Sequence, residues 1–135
     1  MWPFEGRGDP KHYSGWHIFF DIDNKTFDKL TMNCGTGGIG QKHDVTSLVK
    51  PGEWFNVLVT WRLDSKNEKK TEHYVYFNGR LLGTKKLNGS VHLIGDKLYI
   101  GRPKNGGQPW VGLMDELTVW NRYFTAAEAR EQAAR

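Results

Sequence analysis

The chain has 135 residues, of which 38% are hydrophobic and six are Trp, and it carries a formal net charge of +4. This length suits one domain, residues 1–135, and the hydrophobic content excludes a disordered chain. Cys34 is the only cysteine, so an intrachain disulfide and a cysteine-held zinc ion are both excluded. No apolar run is long enough to span a membrane, and no pattern indicates a nucleic-acid-binding module.

The first half of the chain shows strand patterns after an irregular N-terminal segment, residues 1–15. Residues 16–22 are an aromatic and β-branched run that predicts a buried strand. A turn at residues 23–25 precedes a second predicted strand, residues 26–32. The glycines of residues 35–40 then predict a loop.

Two further strands and a hairpin are predicted in the middle of the chain. Residues 54–61 are apolar at both odd and even positions, which is typical of a central strand. The charged residues 64–70 predict an exposed loop. Strand-like runs at 73–77 and 80–86 then flank Asn78-Gly79. An Asn-Gly pair in this position predicts a tight hairpin, because both turn residues need a positive φ.

The last third predicts two strands and a helix. Residues 97–101 form one short strand, and residues 110–122 form the other. Leu117 and Val119 share one face of an extended strand, but Met114 falls on the other. One extra residue between them would bring all three to the same face, which predicts a bulge near Asp115-Glu116. Thr125 to Glu128 has the capping-box pattern that opens a short Ala-rich helix. The spacing of strands and turns predicts an all-β sandwich.

An ordered set of motifs over about residues 50–130 resembles the laminin G-like and pentraxin-like families. The resemblance implies an antiparallel β-sandwich, a concanavalin-like jelly roll, with a short C-terminal helix. It also implies a binding module. The motifs are Trp54, Tyr76-Phe77-Asn78-Gly79, Leu98-Tyr99-Ile100-Gly101, Gly112, Asp115-Glu116, Trp120-Asn121-Arg122 and Thr125 to Glu128.

The N-terminus departs from this family pattern. Such domains usually have further strands before the one predicted at residues 16–22, and only fifteen residues precede it here. We therefore expect either a trimmed family member or part of a larger protein. A missing strand would expose a sheet edge, which favours homo-oligomerisation or completion by a partner segment.

The resemblance implies calcium as a candidate cofactor, since some family members bind it. Asp115 occupies the motif aspartate, and Asp21, Asp23 and Asn24 form a second group of oxygen ligands. Two alternatives stay open. Asp115 is also suited to accept backbone N–H bonds at a bulge, and the Asp21 to Asn24 group also fits an ordinary Asx turn.

Carbohydrate is the main candidate ligand. Sugar sites combine an aromatic ring with amide and carboxylate groups. Trp110 follows Asn105 and Gln108 in a polar, glycine-rich stretch, and Tyr76 and Tyr99 are further candidate stacking residues. The alternatives are that Trp110 closes the edge of the core and that the tyrosines form cross-strand packing pairs.

Catalysis is not predicted. Glycosidases on this fold carry paired carboxylates at alternate positions of one strand, and the chain has no Glu-x-Asp-x-x-Glu pattern. We expect a non-catalytic, extracellular or cell-surface module that binds carbohydrate. The alternative is a structural or adhesion module that docks a cell-surface protein or self-associates. Basic clusters at residues 66–70 and 85–86 fit either a solvated surface or a patch that binds sulfated glycans.

Overall fold

The computed structural model describes residues 4–5, 16–22, 29–36, 39–64, 67–88, 99–101 and 109–135. These residues form antiparallel strands in two sheets and a C-terminal helix, which confirms the predicted all-β class. The elements are β1 Phe4–Glu5, β2 Trp16–Ile22, β3 Leu30–Thr36, β4 Ile39–Asp44, β5 Val57–Asp64, β6 Asn67–Phe77, β7 Arg80–Asn88, β8 Tyr99–Ile100 and α1 Ala126–Ala133.

The chain divides into two compact units. The first unit comprises Met1–Lys50 and Val91–Gly112, and the second comprises Pro51–Ser90 and Leu113–Arg135. The first unit holds a five-stranded sheet with the order β4-β3-β2-β1-β8. Strand β2 has the predicted bounds and pairs along its whole length with β3.

One face of β2 and β3 forms the core of the first unit. Phe20 lies directly opposite Met32, and Ile18 lies opposite Cys34. Phe20, Met32 and Cys34 are all buried, because residues that face each other across an antiparallel ladder project to the same side. Burial raises the pKa of the Cys34 thiol to about 12, so this cysteine is an apolar core residue.

The predicted elements between residues 26 and 40 are wrong in position. Strand β3 begins at Leu30 and continues to Thr36, and Gly35 pairs with Gly40 of β4 where a loop was predicted. Glycine tolerates extended backbone, and ladder bonds join main-chain atoms, so neither strand needs apolar side chains here. Polar β4 was not predicted because, among the described strands, it lies at the sheet edge, where alternation is weak. Residues 26–28 lie outside the described part.

The N-terminal segment also contributes a strand. Phe4–Glu5 lies between β2 and β8, with Phe4 opposite both Ile18 and Ile100. The prediction of irregular structure for residues 1–15 is therefore wrong at these two residues. A two-residue strand is too short to show alternation in the sequence, so only its neighbours in space identify it.

The second unit holds a three-stranded sheet with the order β5-β6-β7. Its hairpin is as predicted, since Asn78 and Gly79 have φ values of 48° and 73°. The Asn78 side chain also fixes the preceding segment. Its Oδ1 accepts the Asn56 N–H at 2.7 Å, and its own backbone N–H donates to the Asn56 carbonyl at 2.8 Å.

Each strand of this sheet differs from prediction in at least one boundary: β5 also ends later, at Asp64, and β7 ends at Asn88. Strand β5 starts at Val57 and, among the described strands, pairs only with β6, so it is an edge strand and not a central one. Strand β6 begins at Asn67, inside the predicted loop 64–70. The charged residues there continue strand β6. Their polarity indicates exposure to water and not the conformation of the backbone, so the loop prediction failed.

Residues 110–122 do not form the predicted strand. They lie outside the ladders of both sheets. The backbone of Glu116 is left-handed, with a φ of 51°, and interrupts the extended chain. A bulge requires a paired strand, so the bulge predicted near Asp115-Glu116 is not formed in these described residues. Strand β8 covers only Tyr99–Ile100 of the predicted 97–101, and residues 97–98 lie outside the described part.

The C-terminal helix begins with the predicted capping box. Thr125 Oγ1 accepts the Glu128 N–H, and Glu128 Oε2 accepts the Thr125 N–H at 2.8 Å. Just before the helix, the Phe124 N–H donates to buried Thr60 Oγ1 at 2.9 Å, which anchors the segment to β5. In the part of the chain that the structure describes, no helix is long and apolar enough to cross a bilayer.

Candidate functional site

Trp110 is held by three neighbours in the first unit. Its backbone N–H donates to the Gly101 carbonyl at 2.7 Å. Its ring packs against Phe20, with centroids 5.7 Å apart and planes tilted by 54°. Gly112 lies so close that a Cβ there would be 3.2 Å from Trp110 Nε1. The ring therefore contacts the core, as expected of a residue that closes the core edge. It is also only half-buried, as expected of a ring that stacks on a sugar.

Tyr99 lies near Trp110 along the chain. It is half-buried on β8 and pairs with Glu5. Through its hydrogen bond to Gly101, Trp110 is thus tied to the residue that follows the strand on which Tyr99 lies. The predicted polar partners Asn105 and Gln108 lie outside the described residues.

Tyr76 occupies a different environment. It is only 2% exposed, and burial raises the pKa of its hydroxyl. The ladder of β6 and β7 shifts register between Val75 and Tyr76, and both residues are buried. The Tyr76 ring offers no accessible face to a sugar, because the β6–β7 hairpin next to it packs closely against α1. A Cβ at Gly79 would lie 2.9 Å from Arg130 Cα.

Two of the predicted calcium ligands, Asp21 and Asp115, lie among the described residues, and they belong to different units. Asp115 is exposed, and its Oδ1 accepts the Glu116 N–H at 2.7 Å, the contact expected under the alternative interpretation. Asp21 is exposed at the end of β2. Asp23 and Asn24 lie outside the described part. Within the described ranges, no group of three or more His, Cys, Asp or Glu side chains lies close enough together to hold a metal ion.

A polar and aromatic cluster that the sequence did not predict lies on one face of the second sheet. Glu72 of β6 is opposite Arg62 of β5 and Lys86 of β7. Arg62 Nε donates to Glu72 Oε2 at 2.9 Å, and Lys86 Nζ is 3.2 Å from Glu72 Oε1. The Tyr74 hydroxyl donates to Glu72 Oε2 at 2.9 Å. Both carboxylate oxygens are therefore engaged.

Two tyrosine rings support this cluster. Tyr74 and Tyr123 meet edge to face with centroids 5.5 Å apart. The Arg62 guanidinium lies 5.7 Å from the Tyr74 centroid and 5.0 Å from that of Tyr123, within cation–π range. We call Arg62, Glu72, Tyr74, Lys86 and Tyr123 the Arg62–Lys86 face.

The charges on this face stabilise one another. The hydrogen bond from Arg62, followed by those from Tyr74 and Lys86, lowers the pKa of Glu72. The bond to Glu72 likewise raises the pKa of Arg62. Burial and the Glu72 carboxylate raise the pKa of Tyr74. At neutral pH the face therefore presents two cations fixed around one anion.

The sequence holds a partial signal for this cluster. A two-residue hairpin at Asn78-Gly79 pairs Phe77 with Arg80, and regular counting from there would place Lys85 opposite Glu72. The register shift after Val75 adds one residue to β7 and brings Lys86 there instead. The bulge carries no clear sequence signature, so the correct partner emerges only from the structure.

A comparison with known families identifies the chain as a whole. Residues 5–130 match a laminin G-type family model described as the concanavalin A-like lectin/glucanases superfamily. The match extends beyond residues 50–130 and spans both units. No curated protein and no solved structure is similar enough to match the chain. Together with the antiparallel sheets and the capped C-terminal helix, the match shows that the chain belongs to the concanavalin A-like lectin/glucanases superfamily.

Proposed function

We propose that this chain is a non-catalytic carbohydrate-binding module that acts outside the cell or at its surface, within a larger protein or alone. Family membership supports a binding module in general. The superfamily description names lectins and glucanases together. The sequence has no Glu-x-Asp-x-x-Glu pattern of the kind that glycosidases of this fold carry on one strand, and this favours the lectin side of the family.

The observation that carries the proposal is the fixed, half-buried ring of Trp110. Its backbone is bound to Gly101, and its ring rests on Phe20 and Gly112. A ring held in this way loses little conformational freedom when a sugar stacks on it. Asn105 and Gln108 lie shortly before it in the sequence and carry amide groups, which are suited to bind hydroxyls. Tyr99 belongs to the same proposed site.

A matched pair of variants tests this site. Trp110→Ala and Trp54→Ala each remove one indole, and Trp54 is 66% exposed in the second unit. We expect Trp110→Ala to weaken binding to the best glycan about tenfold or more, since truncating a central aromatic contact costs about 2 kcal/mol. Trp54→Ala should bind as the wild type does. Equal binding by Trp110→Ala would remove Trp110 from the site.

Calcium assistance is a further part of the proposal. Asp21 and Asp115 keep exposed carboxylates, the type of oxygen ligand that calcium prefers. The same titration in calcium and in chelator tests this part. Binding lost in chelator would assign the ion as a cofactor, and equal binding in both would rule out a calcium requirement.

A second candidate function is docking of a protein partner or self-association. It is favoured by the apolar side chains of residues 113–120, which are exposed and lie outside both ladders. Extended apolar segments of this kind favour pairing with another chain. Light scattering over a range of concentrations tests self-association. A mass that stays at one chain throughout would count against it. The exposed residues are Leu113, Met114, Leu117, Val119 and Trp120.

A further inference from the structure

We propose that the Arg62–Lys86 face is a second binding surface and that its ligand is an anionic carbohydrate bearing sulfate or carboxylate groups. The inference rests on the proposed carbohydrate-binding function and names a substrate class for it. The surface belongs to the second unit, whereas Trp110 belongs to the first. The two proposals can therefore fail separately.

Strand register places the cations of this surface. Arg62, Glu72 and Lys86 form one row across three strands. The row that is joined by ion pairs thus carries two cations against one carboxylate, within a chain of net charge +4. The excess positive charge favours an anionic partner.

Glu72 acts as a positioning residue. Its side chain is 16% exposed, whereas those of Arg62 and Lys86 are 50% and 63% exposed. The carboxylate lies beneath the two cations, with one oxygen on Arg62 and the other on Lys86. It therefore fixes two long side chains that would otherwise lose rotamer freedom on binding. A preorganised pair of cations suits sulfate or carboxylate groups spaced along a sugar chain.

The aromatic residues distinguish a carbohydrate from a single-stranded nucleic acid. Bases need open ring faces on which to stack. The Arg62 guanidinium covers the rings of Tyr74 and Tyr123 at 5.7 and 5.0 Å. The outward groups are hence hydrogen-bond donors, which match sulfates, carboxylates and hydroxyls. A positively charged surface can also bind the phosphates of duplex DNA without sequence preference, so DNA binding is one of the outcomes that the experiment distinguishes.

The experiment measures binding of the full chain to heparin, to chemically desulfated heparin and to a DNA duplex. The variants are Arg62→Gln, Glu72→Gln, Lys86→Gln and the control Lys85→Gln. Lys85 is opposite His73 and projects to the other side of the sheet. Lys85→Gln and Lys86→Gln therefore remove the same charge from adjacent positions. Thermal unfolding of each variant shows whether it is folded, and Trp110→Ala is measured in parallel.

We expect heparin to bind and desulfated heparin and DNA to bind at least about tenfold more weakly. Arg62→Gln and Lys86→Gln should each weaken heparin binding about fivefold to tenfold, and Lys85→Gln less than about twofold. Glu72→Gln provides the sharpest distinction. It raises the net charge, so simple attraction predicts tighter binding, whereas positioning by Glu72 predicts binding about threefold weaker or more.

Several results would overturn the proposal. These are no heparin binding, equal binding of DNA, equal losses from Lys85→Gln and Lys86→Gln, and tighter binding by folded Glu72→Gln. If Glu72→Gln is unfolded, the comparison of the two lysine variants decides, because both side chains are exposed. Heparin binding that Trp110→Ala leaves unchanged would keep this surface even if the Trp110 site fails.

Discussion

At the scale of single residues, Glu128 connects the start of the C-terminal helix to the segment before it. Its carboxylate accepts the Thr125 N–H and hydroxyl hydrogen bonds, and the Arg122 guanidinium lies 2.6 Å away. The backbone bond from Thr125, followed by the bond from Arg122, lowers the Glu128 pKa to about 2. The ionised form is therefore the one that the fold favours.

This shift predicts a pH dependence of stability. Because the folded-state pKa lies below the unfolded value of 4.5, the contribution of Glu128 is fully present above about pH 5. It is lost as the pH falls towards 2. We expect the melting temperature of Glu128→Gln to lie below that of the wild type at pH 7 and to approach it near pH 2. A difference that stays constant over this range would contradict the assignment.

Two glycines with positive φ differ in what surrounds them. Gly79 and Gly52 have φ values of 73° and 80°. A Cβ at Gly79 would lie 2.9 Å from Arg130 Cα, whereas a Cβ at Gly52 would meet nothing within 4 Å. The first substitution therefore adds a clash with helix backbone to the strain that both share.

We expect Gly52→Ala to lower the free energy of unfolding by about 1–2 kcal/mol, the cost of left-handed backbone for an L residue. Gly79→Ala should cost at least about 1 kcal/mol more, since the hairpin and α1 must move apart. Urea denaturation of both variants measures the difference. Equal losses would mean that α1 does not pack closely on the hairpin.

Individual site residues were predictable to different degrees. Trp110 could be selected because an aromatic residue in a polar, glycine-rich stretch is a local pattern. The change in apolar parity near Asp115-Glu116 marked the place where Glu116 is left-handed, but it did not show that this segment forms no strand. The burial of Tyr76 could not be predicted, since it depends on the register shift beside it and on the packing of α1 against the hairpin.

At the scale of elements, hydrophobic alternation located the centres of strands better than their ends. Strand β2 and the β6–β7 hairpin were predicted because apolar runs and Asn78-Gly79 mark them. The polar start of β6 and the edge strand β4 were missed. Both are maintained by main-chain ladder bonds, which side-chain polarity does not report.

One hydrogen bond joins two elements that lie far apart in the sequence. The Phe124 N–H donates to Thr60 Oγ1 on β5, and Thr60 and Phe124 are both buried. We expect Thr60→Val to lower the free energy of unfolding by about 1–3 kcal/mol, because the buried N–H loses its partner.

The matched control is Thr84→Val on the exposed part of β7. Thr84 is opposite Tyr74 and projects to the same side of the sheet as Thr60. We expect a change within about 0.5 kcal/mol for this variant, as for other surface substitutions. Chemical denaturation of both proteins checks the prediction. Similar effects of the two substitutions would show that the bond to Phe124 does not anchor the C-terminal segment.

At the scale of the whole molecule, the order of short motifs was more informative than any one of them. Trp54, Asn78-Gly79, Ile100-Gly101 and the Thr125 to Glu128 capping box are each common, but their sequence of occurrence identified the superfamily. The family match begins at residue 5 and so includes the N-terminal strands that this motif order did not cover. Function is less predictable than fold, because ligands are set by a few surface side chains.

The most direct test of carbohydrate binding is a glycan array probed with the full chain, once with calcium and once with chelator. We expect binding to a restricted set of glycans and its loss in Trp110→Ala, with anionic glycans also sensitive to Arg62→Gln. Folding of each variant is checked by thermal unfolding. An array with no binding to any glycan in either condition would contradict the carbohydrate-binding function and leave protein docking as the alternative.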